Sequence, residues 1–139
     1  RSKGNNELHV TSTHYDDQIA LDLVRGSQRT VAIHGCEGNE SVAYIGGSDD
    51  RLIELITESL EDIGISVREA PHHISGTQEN NIVNMTQTQG GVQLELTAQL
   101  RKELFKNRKS SRKNRENKDN WDDLMYDFAD AMKKAIERA

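Results

Sequence analysis

Cysteine, proline and long apolar runs are what this chain has least of. A single cysteine, Cys36, excludes an internal disulfide and leaves the redox compartment open. No stretch approaches the roughly eighteen apolar residues of a membrane span. The opening Arg1-Ser2-Lys3-Gly4-Asn5-Asn6 has no hydrophobic segment behind it, which argues against a secretory signal. There is also no initiator methionine, so the chain is read as starting inside a longer natural sequence. No glycine-rich phosphate loop, CxxC pair, GxSxG elbow or internal repeat is visible. With 139 residues, 34 % of them hydrophobic and 29 % charged, one domain with a modest core is expected over 1–139.

Charge is present but unevenly spread. The net value is −5, yet residues 101–118 hold nine Lys or Arg against two Glu, a local +7. The remaining residues then carry −12. The tract 106–118 has no apolar residue and reads as a mobile basic loop. It is either a solvated linker or an electrostatic collector for a polyanion. Nucleic acid is disfavoured as the partner, because no aromatic side chain interleaves the basic ones to stack on bases.

Hydrophobic spacing predicts alternating elements. Thr13 and Asp16 fit a capping box before a helix whose stripe is Tyr15, Ile19, Leu23 and Val24. Strands are expected at 30–33 and 42–45. Leu52, Leu55, Ile56, Leu60 and Ile63 mark a helix stopped by Gly64. A strand at 65–67 must finish by Pro71. A polar segment with His72 and His73 runs to Asn84, and a short helix carries Leu100 and Leu104. The last helix spans 120–138, with Trp121, Leu124, Met125, Phe128, Met132 and Ile136 inward. The alternation predicts an α/β fold, an open mixed sheet with helices on both faces.

Two residues draw chemical attention. His34 follows the apolar run 30–33 and precedes Gly35, which would turn the chain away and leave the imidazole at a strand mouth. In Val92-Gln93-Leu94-Glu95-Leu96, period-two alternation turns Gln93 and Glu95 away from the apolar face. A carboxylate on a strand interior costs stability unless it has a partner. A metal-held water is one such partner, and a salt bridge to Arg101 is another. Ligands in open α/β sheets sit at strand carboxyl ends, where His34 is expected.

Four sequence words occur together in order: residues 8–16 (Leu8-His9-Val10-Thr11-Ser12-Thr13-His14-Tyr15-Asp16), Ile33-His34-Gly35, Asn80-Asn81-Ile82-Val83-Asn84 and Gly90-Gly91-Val92-Gln93-Leu94-Glu95-Leu96. With them the chain resembles the phage-type poly-γ-glutamate hydrolase family over roughly residues 4–105. The resemblance implies a zinc-carboxypeptidase-like sheet with Zn2+ at its edge, hydrolysis of γ-glutamyl amide bonds, and a bacterial, phage or prophage setting. It makes His34 a metal ligand and Glu95 the catalytic carboxylate. The family's other two zinc ligands, a His and a Glu in a glycine-rich loop, have no counterpart in 1–139. The chain accordingly reads as lacking the family's first strand and helix, with a companion chain or upstream segment completing the sheet and the zinc site.

On that reading, zinc lowers the pKa of a bound water and Glu95 accepts its proton. Asn81, Asn84 and Arg68 are candidates for gripping substrate carboxylates, and His9 for a donor behind the metal ligands. Turn capping is the alternative role for the asparagines. Holding its own loop is the alternative role for His9, His72 and His73 belong at the surface, and Cys36 is a bystander thiol. Two functions follow: a zinc hydrolase of poly-γ-glutamate or another acidic polymer, or a non-catalytic polyanion-binding module on the same fold.

Overall fold

The alternating run near Val92 becomes the strand around which the sheet is organised. The computed structural model describes residues 13, 14 and 16–139. Its strands are β1 (Val31–Cys36), β2 (Val42–Gly47), β3 (Ser66–Glu69) and β4 (Val92–Thr97). Among the described residues they form one sheet in the order β1-β4-β2-β3. β4 runs parallel to β1 and antiparallel to β2, while β3 is parallel to β2. The sheet is therefore open and mixed, as the alternation predicted.

The helices are α1 (Gln18–Arg25), α2 (Asp50–Asp62), α3 (Ala98–Glu103) and α4 (Asp123–Arg138). Val92, Leu94 and Leu96 of β4, with Ala43 and Ile45 of β2, meet α2, α3 and α4 in one core. Leu52, Ile56 and Leu60 of α2 are wholly buried there. Each such side chain contributes about 1.5–3 kcal/mol relative to exposure. The opposite face carries single 3-10 turns, His72–Ile74 and Ile82–Asn84. No helix among the described residues is long and apolar enough to cross a membrane.

Several local expectations need correction. β1 does not stop before Gly35; it continues to Cys36 because its ladder to β4 persists through Cys36↔Thr97. The cap of α1 is Asp17, whose carboxylate accepts from the Ala20 N–H, not the Thr13–Asp16 box. Of the expected α1 stripe, Val24 is half-buried but two members face outward. Ile19 and Leu23 are 74 % and 68 % exposed and Leu21 is the buried residue, since α1 packs on the small Ile82–Asn84 turn rather than on the core. Tyr15 and the segment 8–11 lie outside the described residues. In α4, Phe128 and Met132 are buried as predicted, but Ala131 and Ala135 replace Ile136, whose side chain is 43 % exposed. Small residues let α4 approach α2 closely, which a longer side chain would prevent.

The basic tract is closed at its base. Phe105 and Trp121 form an antiparallel bridge, and the Asp122 N–H donates to the Leu104 carbonyl at 3.0 Å. Within the excursion, the Trp121 indole donates to the Arg115 carbonyl at 2.8 Å and the Asn120 amide to the Asn114 carbonyl at 2.9 Å.

Candidate active site

Strand register assembles a row of polar side chains on the face away from the core. His34 of β1 lies opposite Glu95 of β4, Glu95 opposite Tyr44 of β2, and Tyr44 opposite Arg68 of β3. Neighbours on this row come from segments far apart in the chain, and period-two alternation turns them all the same way. Alternation already placed Gln93 and Glu95 together. Tyr44, flanked by the core residues Ala43 and Ile45, could have been found by the same rule and was missed.

His34 Nδ1 lies 3.6 Å from Glu95 Oε1, with the imidazole 38 % exposed and the carboxylate side chain 9 %. A buried carboxylate beside a more accessible imidazole is a geometry suited to moving a proton at a solvent-reachable rim. Burial pushes the Glu95 carboxyl above its ordinary range, and the facing His34 opposes that shift. A raised value brings the group nearer neutrality, where a general base works best. The alternative partner is excluded: Arg101 donates to the backbone carbonyls of Leu96 and Cys36, at 3.2 and 3.0 Å, and stitches β4 to β1. Gly35 leaves room for it, since a Cβ there would lie 2.9 Å from the Arg101 guanidinium carbon.

Gln93 extends the site inward. Its amide donates to the Ile74 carbonyl at 3.2 Å and reaches Glu95 Oε1 at 3.5 Å, while its oxygen accepts from Asn81 at 3.2 Å. The 72–84 segment is thereby fastened over the strand that carries the carboxylate. The backbone comes very close here. A Cβ on Gly46 would meet the Ser75 carbonyl oxygen at 2.0 Å, so only glycine fits beneath that loop.

The asparagines turn out to be internal braces rather than free donors for a substrate. Asn81 caps the Ile82–Asn84 turn through the Val83 N–H, and Asn84 donates to the Gly76 and Gln78 carbonyls. They are 5 % and 4 % exposed, so the expected grip on substrate gives way to the capping alternative. Asn84 Oδ1 is buried without a hydrogen-bond partner. Arg68 is exposed and pairs with Glu40 at 2.7 Å. His72 and His73 are at the surface, and His9 lies outside the described residues. The Cys36 thiol is raised by burial and then by Glu95, opposed by Arg101, which suits a bystander rather than a nucleophile.

Zinc at a catalytic site usually takes three protein ligands and leaves a position for water. The donor set here fits part of that requirement, with one imidazole and a carboxylate beside it. Among the described residues, no group of three or more His, Cys, Asp or Glu is placed to hold a metal ion.

The open α/β sheet with its histidine–glutamate pair has counterparts among known proteins. The model of the family described as poly-gamma-glutamate hydrolase matches residues 1–131, and the chain belongs to that family. A solved bacteriophage poly-gamma-glutamate hydrolase superposes with a TM-score of 0.90 at 33 % identity, over 98 % of this chain and 65 % of that one. A zinc-free structure of YndL gives 0.87 at 28 % identity, over 99 % and 67 %. The SPbeta prophage-derived UPF0714 protein YoqZ of Bacillus subtilis (strain 168) is 36 % identical over 107 residues, 76 % of this chain. The chain spans about two fifths of that relative's length, 39 %.

Proposed function

We propose that this chain contributes the polar-face half of a zinc-dependent hydrolase that cuts γ-glutamyl amide bonds in poly-γ-glutamate. The observation that carries this reading is the His34–Glu95 pair, 3.6 Å apart on neighbouring strands. In the whole protein His34 is one metal ligand, and the remaining ligands come from outside the described residues. Zinc, when bound, supplies a Lewis acid that makes water a nucleophile near neutral pH.

The chain's own residues do the proton work. Glu95 takes the proton of the attacking water on its carboxylate oxygen and returns it to the leaving amine nitrogen, as base and then acid. Gln93, by holding the 72–84 segment down and touching Glu95, keeps that carboxylate aimed and partly shielded from solvent. The basic excursion at 106–118 raises the local concentration of an acidic polymer, an effect that weakens with salt.

The test is hydrolysis of poly-γ-glutamate by the full-length protein, with and without a chelator. Turnover should vanish with metal removal and return on adding zinc. Glu95→Gln should cut the rate by about 10²–10⁴-fold while leaving polymer binding nearly intact. Turnover indifferent to chelator, or to loss of the carboxylate, overturns the reading. Binding without cleavage would instead favour the polyanion-binding module.

A further inference from the structure

Arg68 sits at the far end of the row that begins with His34 and Glu95, two strand positions from the carboxylate. Inter-strand steps of about 4.8 Å place the Cα atoms of Glu95 and Arg68 about 10 Å apart. Tyr44 lies between them on the same face. The Arg68 guanidinium is more than half exposed, at 54 %, and already holds a carboxylate, that of Glu40, at 2.7 Å. Glu40 itself is 71 % exposed and belongs to the connection between β1 and β2. The hydrogen bond and the charge of Glu40 raise the Arg68 pKa, and Tyr44 adds a smaller push in the same direction.

Two features make this pair open to a ligand. It is an ion pair in water, and exposed pairs of that kind contribute little to stability and exchange readily. It also lies on the functional face, within the length of a single substrate residue or two from the reacting carboxylate. A γ-linked glutamate polymer carries one free carboxylate on every repeat. A planar guanidinium is the side chain best shaped to receive such a group with two parallel hydrogen bonds.

We propose that Arg68, beside Tyr44 on the same face, is a specificity-determining residue that takes the free carboxylate of a substrate residue near the cleaved bond, and that Glu40 fills that place until substrate displaces it. This inference rests on the hydrolase reading for its substrate class. Glu40 is then a built-in competitor. It keeps the guanidinium oriented in the free protein and raises the concentration of polymer needed to occupy the site.

The competitor role makes the two partners act with opposite sign, which a merely structural ion pair would not do. The experiment is isothermal titration of a γ-linked glutamate pentamer into the full-length protein carrying Glu95→Gln, so that no turnover intervenes. Against that background, Arg68→Gln should weaken binding about 5- to 10-fold, and Arg68→Lys should restore part of it. Glu40→Gln should tighten binding about 3-fold or more, and should have no effect once Arg68 is Gln. Thermal unfolding of each variant confirms that the fold is unchanged. Equal weakening by both single substitutions, no change in either, or a pentamer that no variant binds overturns the proposal. Hydrolysis of the polymer by the Glu95-containing protein is measured separately. Opposite-sign binding shifts without turnover would leave the carboxylate site standing and remove the hydrolase; turnover without those shifts would do the reverse.

Discussion

At the scale of single residues, Glu95 is placed where chemistry and stability oppose one another. It is 7 % exposed on a central strand, and burial raises its pKa. The folded state therefore holds that proton more tightly than the unfolded chain does. Stability is greatest below the ordinary glutamate range and falls as pH rises through the folded-state value. In metal-free protein, Glu95→Gln should stabilise the fold at pH 7 and do so much less at pH 4. Urea unfolding at the two pH values checks this; a stabilisation that grows on acidification would contradict the account. Two glycines offer a second comparison. Gly35→Ala meets the movable tip of Arg101 and should cost about 1–2 kcal/mol, the scale of the hydrogen bonds that Arg101 would lose. Gly46→Ala drives a methyl group into the Ser75 backbone carbonyl and should cost about 3 kcal/mol or more. Equal costs, measured by the same unfolding curves, would show that the loop over β2 gives way more easily than its contacts suggest.

At the scale of elements, the basic excursion can be separated from the fold that carries it. Its base is clamped by the Phe105–Trp121 bridge, while Lys106, Arg108, Lys109, Arg112 and Lys113 all point into solvent. Changing these five to Gln should leave the melting temperature within a few degrees. It should lower low-salt affinity for poly-γ-glutamate by about tenfold or more and flatten the salt dependence. Affinity that is unmoved would reduce the tract to a solvated surface. The element also shows what the sequence could and could not convey. Its charge and its lack of apolar residues were legible. The closure of its ends was not, because a bridge between Phe105 and Trp121 depends on two residues sixteen positions apart meeting in space. Helix α2 was the opposite case, since its strong apolar face and Gly64 were sufficient by themselves. For α1 the periodic signal was real but misleading: a stripe of Ile19 and Leu23 is buried only where something packs on it, and periodicity does not say what that is.

For the whole molecule, the sheet's composition was readable and its order was not. Alternation in 92–96 separated the inward leucines from Glu95, and the run at 30–33 announced a strand. Nothing local says that β4 lies between β1 and β2, because pairing partners are set by the packing of the completed core. The same gap hid Glu40, which meets Arg68 only once the connection between β1 and β2 folds beside β3. The asparagines erred in the other direction: they look like a polar grip in sequence and become internal braces when the 72–84 segment folds onto Gln93.

The two halves of the reactive pair are anchored unequally. Glu95 stands on a strand flanked on both sides, whereas His34 rides on β1, which among the described strands has a single neighbour. On the hydrolase reading, parting β1 from β4 would separate the imidazole from the carboxylate while the helices and the leucine-lined interior stayed in place, so that turnover would gauge that seam rather than the survival of the molecule as a whole.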